Sequence, residues 1–264
     1  MATKLTGRRD HYLPQGYLRG FIDPARKNYQ QPLWYFDVRN HIWSAKSVKQ
    51  VGHRPGFYDY ATNEAGFEPA DVTFRELEQK YPLIREKIEN NFDCWTVHLD
   101  FLLRFAQMLR ARSLLFFDQQ REKWKNTATW RIKEVSEDRK SLKLESMTPS
   151  PPPESFIRNR TILEMQDEIK KGAGWANDYH WALQYTDTPD EPFIISESPF
   201  VSTTDHPPRL LLLPISWRAC LYGTPEDYGS EARRVDTENL RQIRSMYRSG
   251  AKLYIVSPKK LDDL

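Results

Sequence analysis

Apolar and polar positions change rhythm several times along the chain, and each change predicts an element. Residues 33–38, Leu-Trp-Tyr-Phe-Asp-Val, bounded by Pro32 and Asn40, read as an aromatic-rich strand. Gly52, Pro55 and Gly56 mark irregular backbone before a helix starting near Asp71, where Thr73 and Glu76 have capping-box spacing. Pro82 should break or kink that helix, with Leu83, Ile84 and Ile88 continuing at helical spacing. The longest helix is expected from about Cys94 to Trp124. One of its stripes holds His98, Leu102, Phe105, Leu109, Arg112 and Phe116, which sets a histidine and an arginine on an apolar face. Burying either without a partner is costly, so each is paired inside the fold or faces a cavity.

In the second half, Trp130 and Ile132, then Leu142 and Leu144, flank a polar stretch and predict a hairpin. The run from Pro149 to Pro153 reads as a Pro-rich connection. A helix through Ile162, Met165 and Ile169 should stop at Gly172-Ala-Gly174. Strand-like runs follow at Trp181–Tyr185, Phe193–Ser196, Leu210–Leu213 and Ala219–Tyr222. An amphipathic helix with Leu240, Ile243 and Tyr247 then leads to a last strand, Leu253–Val256. The pattern predicts an α+β fold: a mixed, mostly antiparallel sheet against a helical layer that includes one long central helix. A single domain over residues 1–264 is expected, since the half after the Pro-rich run is short of independent core.

Composition narrows the class. The 8 Trp, 13 Tyr and 13 Phe can build a core although only 39% of residues are hydrophobic. No apolar run is long enough for a transmembrane helix, and the N-terminus has no apolar segment of a secretory signal. Two cysteines, Cys94 and Cys220, make no disulfide framework, so a cytoplasmic protein without membrane attachment is expected.

A net charge of +3 hides segregation. Residues 1–54 sum to +7, 55–103 to −6, 104–144 to +6, 145–205 to −7 and 206–264 to +3. Two basic blocks side by side would attract phosphates. Alternatively each block is a solvated face neutralised by its acidic neighbour.

The chemistry-bearing motifs are mostly missing. The 11 glycines form no Gly-x-Gly-x-x-Gly and no Walker loop, and there is no Gly-x-Ser-x-Gly elbow. Neither His-Glu-x-x-His nor Cys-x-x-Cys occurs, so the sequence names no metal site and no cofactor. Asp205-His206 precedes Pro207-Pro208, where a turn role fits better than ligation.

The most distinctive run is His11-Tyr-Leu-Pro14-Gln-Gly-Tyr17-Leu18-Arg19-Gly-Phe21. It resembles the signature of a widespread uncharacterised family, a domain of unknown function whose members open with His-x-x-Pro-x-x-Tyr/Phe-Leu-x-x-Phe. The resemblance continues in order through Leu33–Val38, Phe57-Tyr58, a helix with Glu78, and a long helix with Arg110 or Arg112 near its end. A Thr-Ser-Asp-x-Pro-like turn follows, here Ser196-Glu197-Ser198-Pro199, with glutamate where the family usually has aspartate. Then come Pro214-Ile215-Ser216 and a terminal helix and strand. The resemblance implies a fold grouping and no activity.

Physically, His11 suits general acid or base work near neutral pH, or anchoring of the chain start by hydrogen bonds. Glu197 is expected at a strand end, as partner of His11 or as a metal ligand. Arg19 and Arg112 would hold an anionic substrate. Ser196 and Ser198 read as turn caps. Two functions follow. One is a phosphodiester hydrolase acting on RNA or a nucleotide, with His11 and Glu197 catalytic and His11, Arg112 and Glu197 lining a single pocket. The other is a non-catalytic binding module whose signature residues only brace the fold.

Overall fold

In the computed structural model, which describes residues 9–60, 70–126, 130–135, 142–146, 152–203 and 209–262, α-helices and β-strands interleave along the whole chain. In chain order the elements are β1 (Arg9–His11), α1 (Gln15–Leu18), β2 (Leu33–Asp37), β3 (Ile42–Lys46), β4 (His53–Pro55), α2 (Ala70–Asn90), α3 (Leu99–Ala111) and α4 (Leu114–Lys125). They continue as β5 (Trp130–Val135), β6 (Leu142–Ser146), α5 (Glu154–Lys171), β7 (His180–Tyr185), β8 (Ile195–Ser196), β9 (Val201–Ser202) and β10 (Leu211–Pro214). The last are β11 (Ala219–Thr224), β12 (Ala232–Arg234), α6 (Thr237–Gly250) and β13 (Tyr254–Ser257). The fold is α+β. One sheet runs β12-β7-β11-β10-β9 and another β3-β2-β13-β8, while β1-β4 and β5-β6 are two-stranded. Among the described residues, only β12 beside β7 is parallel.

Alternation along the strands divides the interior in two. Leu211, Leu213, Ala219, Leu221, Tyr254 and Val256 join a core with α1, α2, α3 and α5. Their neighbours Leu212, Cys220 and Ile255 point into a second core. Since successive strand residues face opposite sides, both sheet faces are buried. The amphipathic helix α6 closes the second core with Leu240, Ile243 and Tyr247, and Asp236 caps it by accepting from the Asn239 amide at 2.8 Å.

Three expectations about helices change. The helix that Pro82 should break or kink is α2, and it is not broken there: it runs from Ala70 to Asn90 with Pro82 inside it. Pro82 packs against α1, where a Cβ on Gly16 would lie 3.2 Å from its ring, so tertiary contact holds the proline in helical backbone. Thr73 and Glu76 both lie within α2, where Glu76 pairs with Lys80 one turn on, at 2.7 Å. The single long helix from Cys94 to Trp124 is three pieces. Phe92–His98 is 3-10, α3 ends at Ala111, and Ser113 starts α4 by accepting from the Phe116 amide at 3.1 Å. A serine placed to cap competes with helical continuation.

The hairpin expected around 130–144 is β5-β6, paired antiparallel, though its turn lies outside the described residues. So do Asp205-His206, Pro207-Pro208 and most of the Pro-rich run. Pro153 is described, and caps α5 by accepting from the Ile157 amide at 3.1 Å. No described helix is long and apolar enough to cross a membrane.

The start of the chain is tied in at Gly52, whose carbonyl accepts from the Leu13 amide at 3.1 Å. Gly52 has φ +64°, and a Cβ there would lie 2.6 Å from the Leu13 Cβ. Gly52→Ala combines left-handed strain with a collision, and should destabilise by about 2 kcal/mol or more in urea melts.

Candidate functional site

Short-range forces first place His11. It ends β1, opposite His53 of β4, with ring centroids 5.7 Å apart. Pro14 then caps α1, its carbonyl accepting from the amides of Tyr17 and Leu18, each at 3.0 Å. The aromatic and leucine positions of the signature, Tyr17, Leu18 and Phe21, are wholly buried. They serve the core. Tyr17 also donates its hydroxyl to the Pro214 carbonyl at 2.6 Å, Tyr81 donates to the Ile215 carbonyl, and the Trp217 amide donates to Gly20 at 2.9 Å. The opening signature and the Pro214-Ile215-Ser216 segment are thus bonded partners, although some 200 residues apart.

Arg112 follows α3 and is only 2% exposed. It donates from Nη1 to Glu78, from Nη2 to the His11 carbonyl, and from Nε to the Tyr58 hydroxyl at 2.5 Å. Tyr58 passes that bond on, donating to the same His11 carbonyl at 3.1 Å. The Phe74 ring covers the guanidinium at 4.4 Å. Burial works against this charge, but Tyr58 and Glu78 more than offset it, and the pKa of Arg112 rises above the ordinary arginine value. Burial likewise pushes the Tyr58 hydroxyl up, so it stays a neutral donor. The Tyr58 amide donates to Asp10 at 3.1 Å, and Arg158 of α5 donates to the Asp59 carbonyl at 2.6 Å and to that of Gly56. Arg112 is held on every side.

These contacts frame a polar cleft of about 510 Å³. His11, Arg19 and Arg112 line it together. Glu197 does not. That glutamate is 5% exposed, and its carboxylate accepts from three successive amides of the last strand's approach. These are Lys252 at 2.6 Å, Leu253 at 3.2 Å and Tyr254 at 3.3 Å. The expectation of one pocket holding His11, Arg112 and Glu197 is therefore corrected. Three amides in a row form a concave donor set that a carboxylate side chain satisfies, and this ties β8 to β13. Ser196 caps the turn: its Oγ donates to the Ser198 carbonyl at 3.0 Å and accepts from the Ser198 amide at 3.2 Å.

Arg112 is in the cleft wall but spends its donors on protein groups. Arg19 and Arg75 line the same cleft from exposed positions. Arg75, Glu78, Gln79 and Pro82 all line the cleft, and sequence reasoning did not single out Arg75 or Gln79. Their spacing of three, one and three is one stripe of α2, a signal the chain did carry. Among the described residues no three His, Cys, Asp or Glu side chains gather where a metal ion could sit.

Arg19 of the N-terminal basic block and Arg112 of the central one both line this cleft. Cations of the central block meet acids of its neighbours: Arg110 with Glu168 at 3.3 Å, Arg121 with Glu154 at 2.8 Å, Lys123 with Glu164 at 3.2 Å, and Arg112 with Glu78.

Compared with known proteins, residues 9–260 match the model of a family described as a protein of unknown function, DUF4238. No curated protein and no solved structure matches the chain.

Two substitutions test the bracing roles. Arg112→Met leaves the His11 carbonyl and Glu78 without their buried cation, and should cost about 3 kcal/mol or more in a urea melt, with Arg112→Lys recovering only part. Glu197→Ala strands buried amides and should cost on the order of 2–4 kcal/mol by the same measurement. Native stability in either variant would contradict the assignment.

Proposed function

The chain belongs to the DUF4238 family, and from that footing we propose that the cleft beside His11 binds a phosphate-bearing molecule, a nucleotide or an RNA end, while Arg112 and Glu197 brace the fold. The observation that carries this reading is the convergence of His11, Arg19 and Arg75 on one polar cleft of about 510 Å³. A half-buried imidazole and two exposed guanidinium groups suit an anion with several acceptor oxygens. Asp10 and Glu78 share the wall, but Asp10 accepts from the Tyr58 amide and Glu78 from Arg112, so both are partly engaged. Pairing of Arg110, Arg112, Arg121 and Lys123 with acidic side chains favours a compact anionic group over a long nucleic-acid track.

A phosphodiester hydrolase is the second reading, and His11 itself favours it. Its ring lines the cleft, and imidazole can donate or accept a proton near neutral pH. Glu197 is engaged elsewhere, so in this reading His11 works without it. Any acid or base partner would come from the cleft wall.

One experiment separates the two. The full chain, His11→Ala and Arg19→Ala are titrated with a nucleoside monophosphate by calorimetry and with a labelled oligoribonucleotide by anisotropy, while turnover of the labelled RNA and melting are followed in parallel. The binding reading expects saturable binding that weakens by roughly tenfold or more in each variant, with no turnover. Turnover by the wild type that disappears in His11→Ala at unchanged melting temperature would transfer the assignment to the hydrolase. Absence of both binding and turnover would overturn the site.

A further inference from the structure

A second cleft, of about 290 Å³, adjoins the one beside His11, and Arg19 lines both. The two also share one face of α2. Arg75, Glu78 and Pro82 line the first cleft and Arg85 and Glu89 the second, and these five follow one another at intervals of three or four residues. That spacing is a single helical stripe, and from Arg75 to Arg85 it runs about 15 Å along the axis. The α1 segment and the 3-10 turn Arg19–Phe21 complete the lining with Gly16 in the first cleft and Gly20 in the second.

Arg85 stands between the clefts. It lines the second, and its Nη1 donates at 3.2 Å to the carbonyl of Gly16, which lines the first. Its Nε lies 3.5 Å from Glu89, so these two charges offset each other. Lys27 and Arg19 are the remaining cations of the second cleft. Both are exposed, and among the described residues neither side chain has a hydrogen-bond or ion-pair partner.

The cations are therefore spread along the stripe, not clustered. Arg75 belongs to the first cleft alone, Arg19 to both, and Lys27 to the second alone. A polyphosphate concentrates its charge at one place, whereas a nucleic-acid strand carries one negative charge per nucleotide.

From this arrangement we infer that the two clefts form one groove for a short single strand of nucleic acid. Successive backbone phosphates lie at the His11 and Arg75 end, at Arg19, and at Lys27. The inference rests on the reading of the His11 cleft as a phosphate site and extends it to the class and length of the ligand. The Trp217 ring in the second cleft already has the Arg218 guanidinium 5.8 Å from its centroid, so recognition there is assigned to the backbone and not to base stacking. Affinity then follows the number of phosphates and the ionic strength, not base identity.

The test titrates the full chain by calorimetry with uridine 5′-monophosphate, uridine 5′-triphosphate and the 5′-phosphorylated uridine trinucleotide. Adenosine and thymidine trinucleotides serve as base and sugar controls. Affinity should rise at least about tenfold from the monophosphate to the trinucleotide. The slope of log affinity against log salt should steepen by about 0.7 for each added phosphate. Lys27→Ala, at an exposed position, should remove most of that gain at a near-native melting temperature, and Lys27→Gln repeats the measurement should the alanine variant not fold. The adenosine and thymidine trinucleotides should bind within about threefold of the uridine one, and a larger preference would overturn backbone recognition. Equal affinity for monophosphate and trinucleotide, a triphosphate that matches the trinucleotide, or trinucleotide binding undiminished by either Lys27 variant would each overturn the groove while the His11 site stands. Trinucleotide binding that His11→Ala leaves unchanged would confine the strand to the second cleft and overturn both readings. So would the absence of binding by every probe.

Discussion

The buried charge of Arg112 is the constraint around which the site is arranged. A guanidinium taken out of water must have its donors met, and no single element of this chain can meet them. It draws on Glu78 from α2, the Tyr58 hydroxyl from the loop after β4, and the His11 carbonyl at the end of β1. Those three groups come from regions with little else in common in sequence. Once they meet at Arg112, the position of the His11 ring follows, because its own carbonyl is fixed from two sides. The cleft is the space left in front of this junction.

The same economy recurs across the molecule. Glu197 joins β8 to the start of β13 by accepting three amides, and Tyr17 and Tyr81 hold the carbonyls of Pro214 and Ile215. Tyr12 and Tyr254 share a hydrogen bond of 2.8 Å between their hydroxyls. Each of these side chains reaches a group far away in the chain, most often a main-chain one, where a loop or short strand would otherwise leave it unpaired. With 34 aromatic residues and few long aliphatic runs, phenol hydroxyls at the edge of the core do much of this joining. His11, Arg19 and Arg75 stand out as candidates because they line one polar cleft together.

Segregated charge serves the same end. The +6 block of 104–144 sits against the −7 block that follows it through pairs such as Arg121 with Glu154 and Lys123 with Glu164. Exposed pairs of this kind add little stability individually. Their consequence here is geometric: α4 and α5 lie alongside each other with opposite signs facing.

The sequence by itself determined what depends on neighbours. Runs of alternating or aromatic residues marked β2, β7, β10, β11 and β13, because a strand's pattern is written in consecutive positions. Leu240, Ile243 and Tyr247 marked α6 in the same way, and Ser196 was legible as a turn cap. The resemblance starting at His11 also carried Tyr58, Glu78 and Arg110 or Arg112 in order, but not their meeting point. Tertiary structure decided the rest. It kept α2 helical through Pro82 by packing that ring on α1, and broke the expected long helix at Ser113, where a local cap prevailed. It also turned Glu197 away from His11, because three amides 55 to 57 residues further on were the stronger claim on its oxygens. Local pattern fixes which backbone a segment prefers; which buried donor finds which acceptor is settled only when distant segments compete for the same interior.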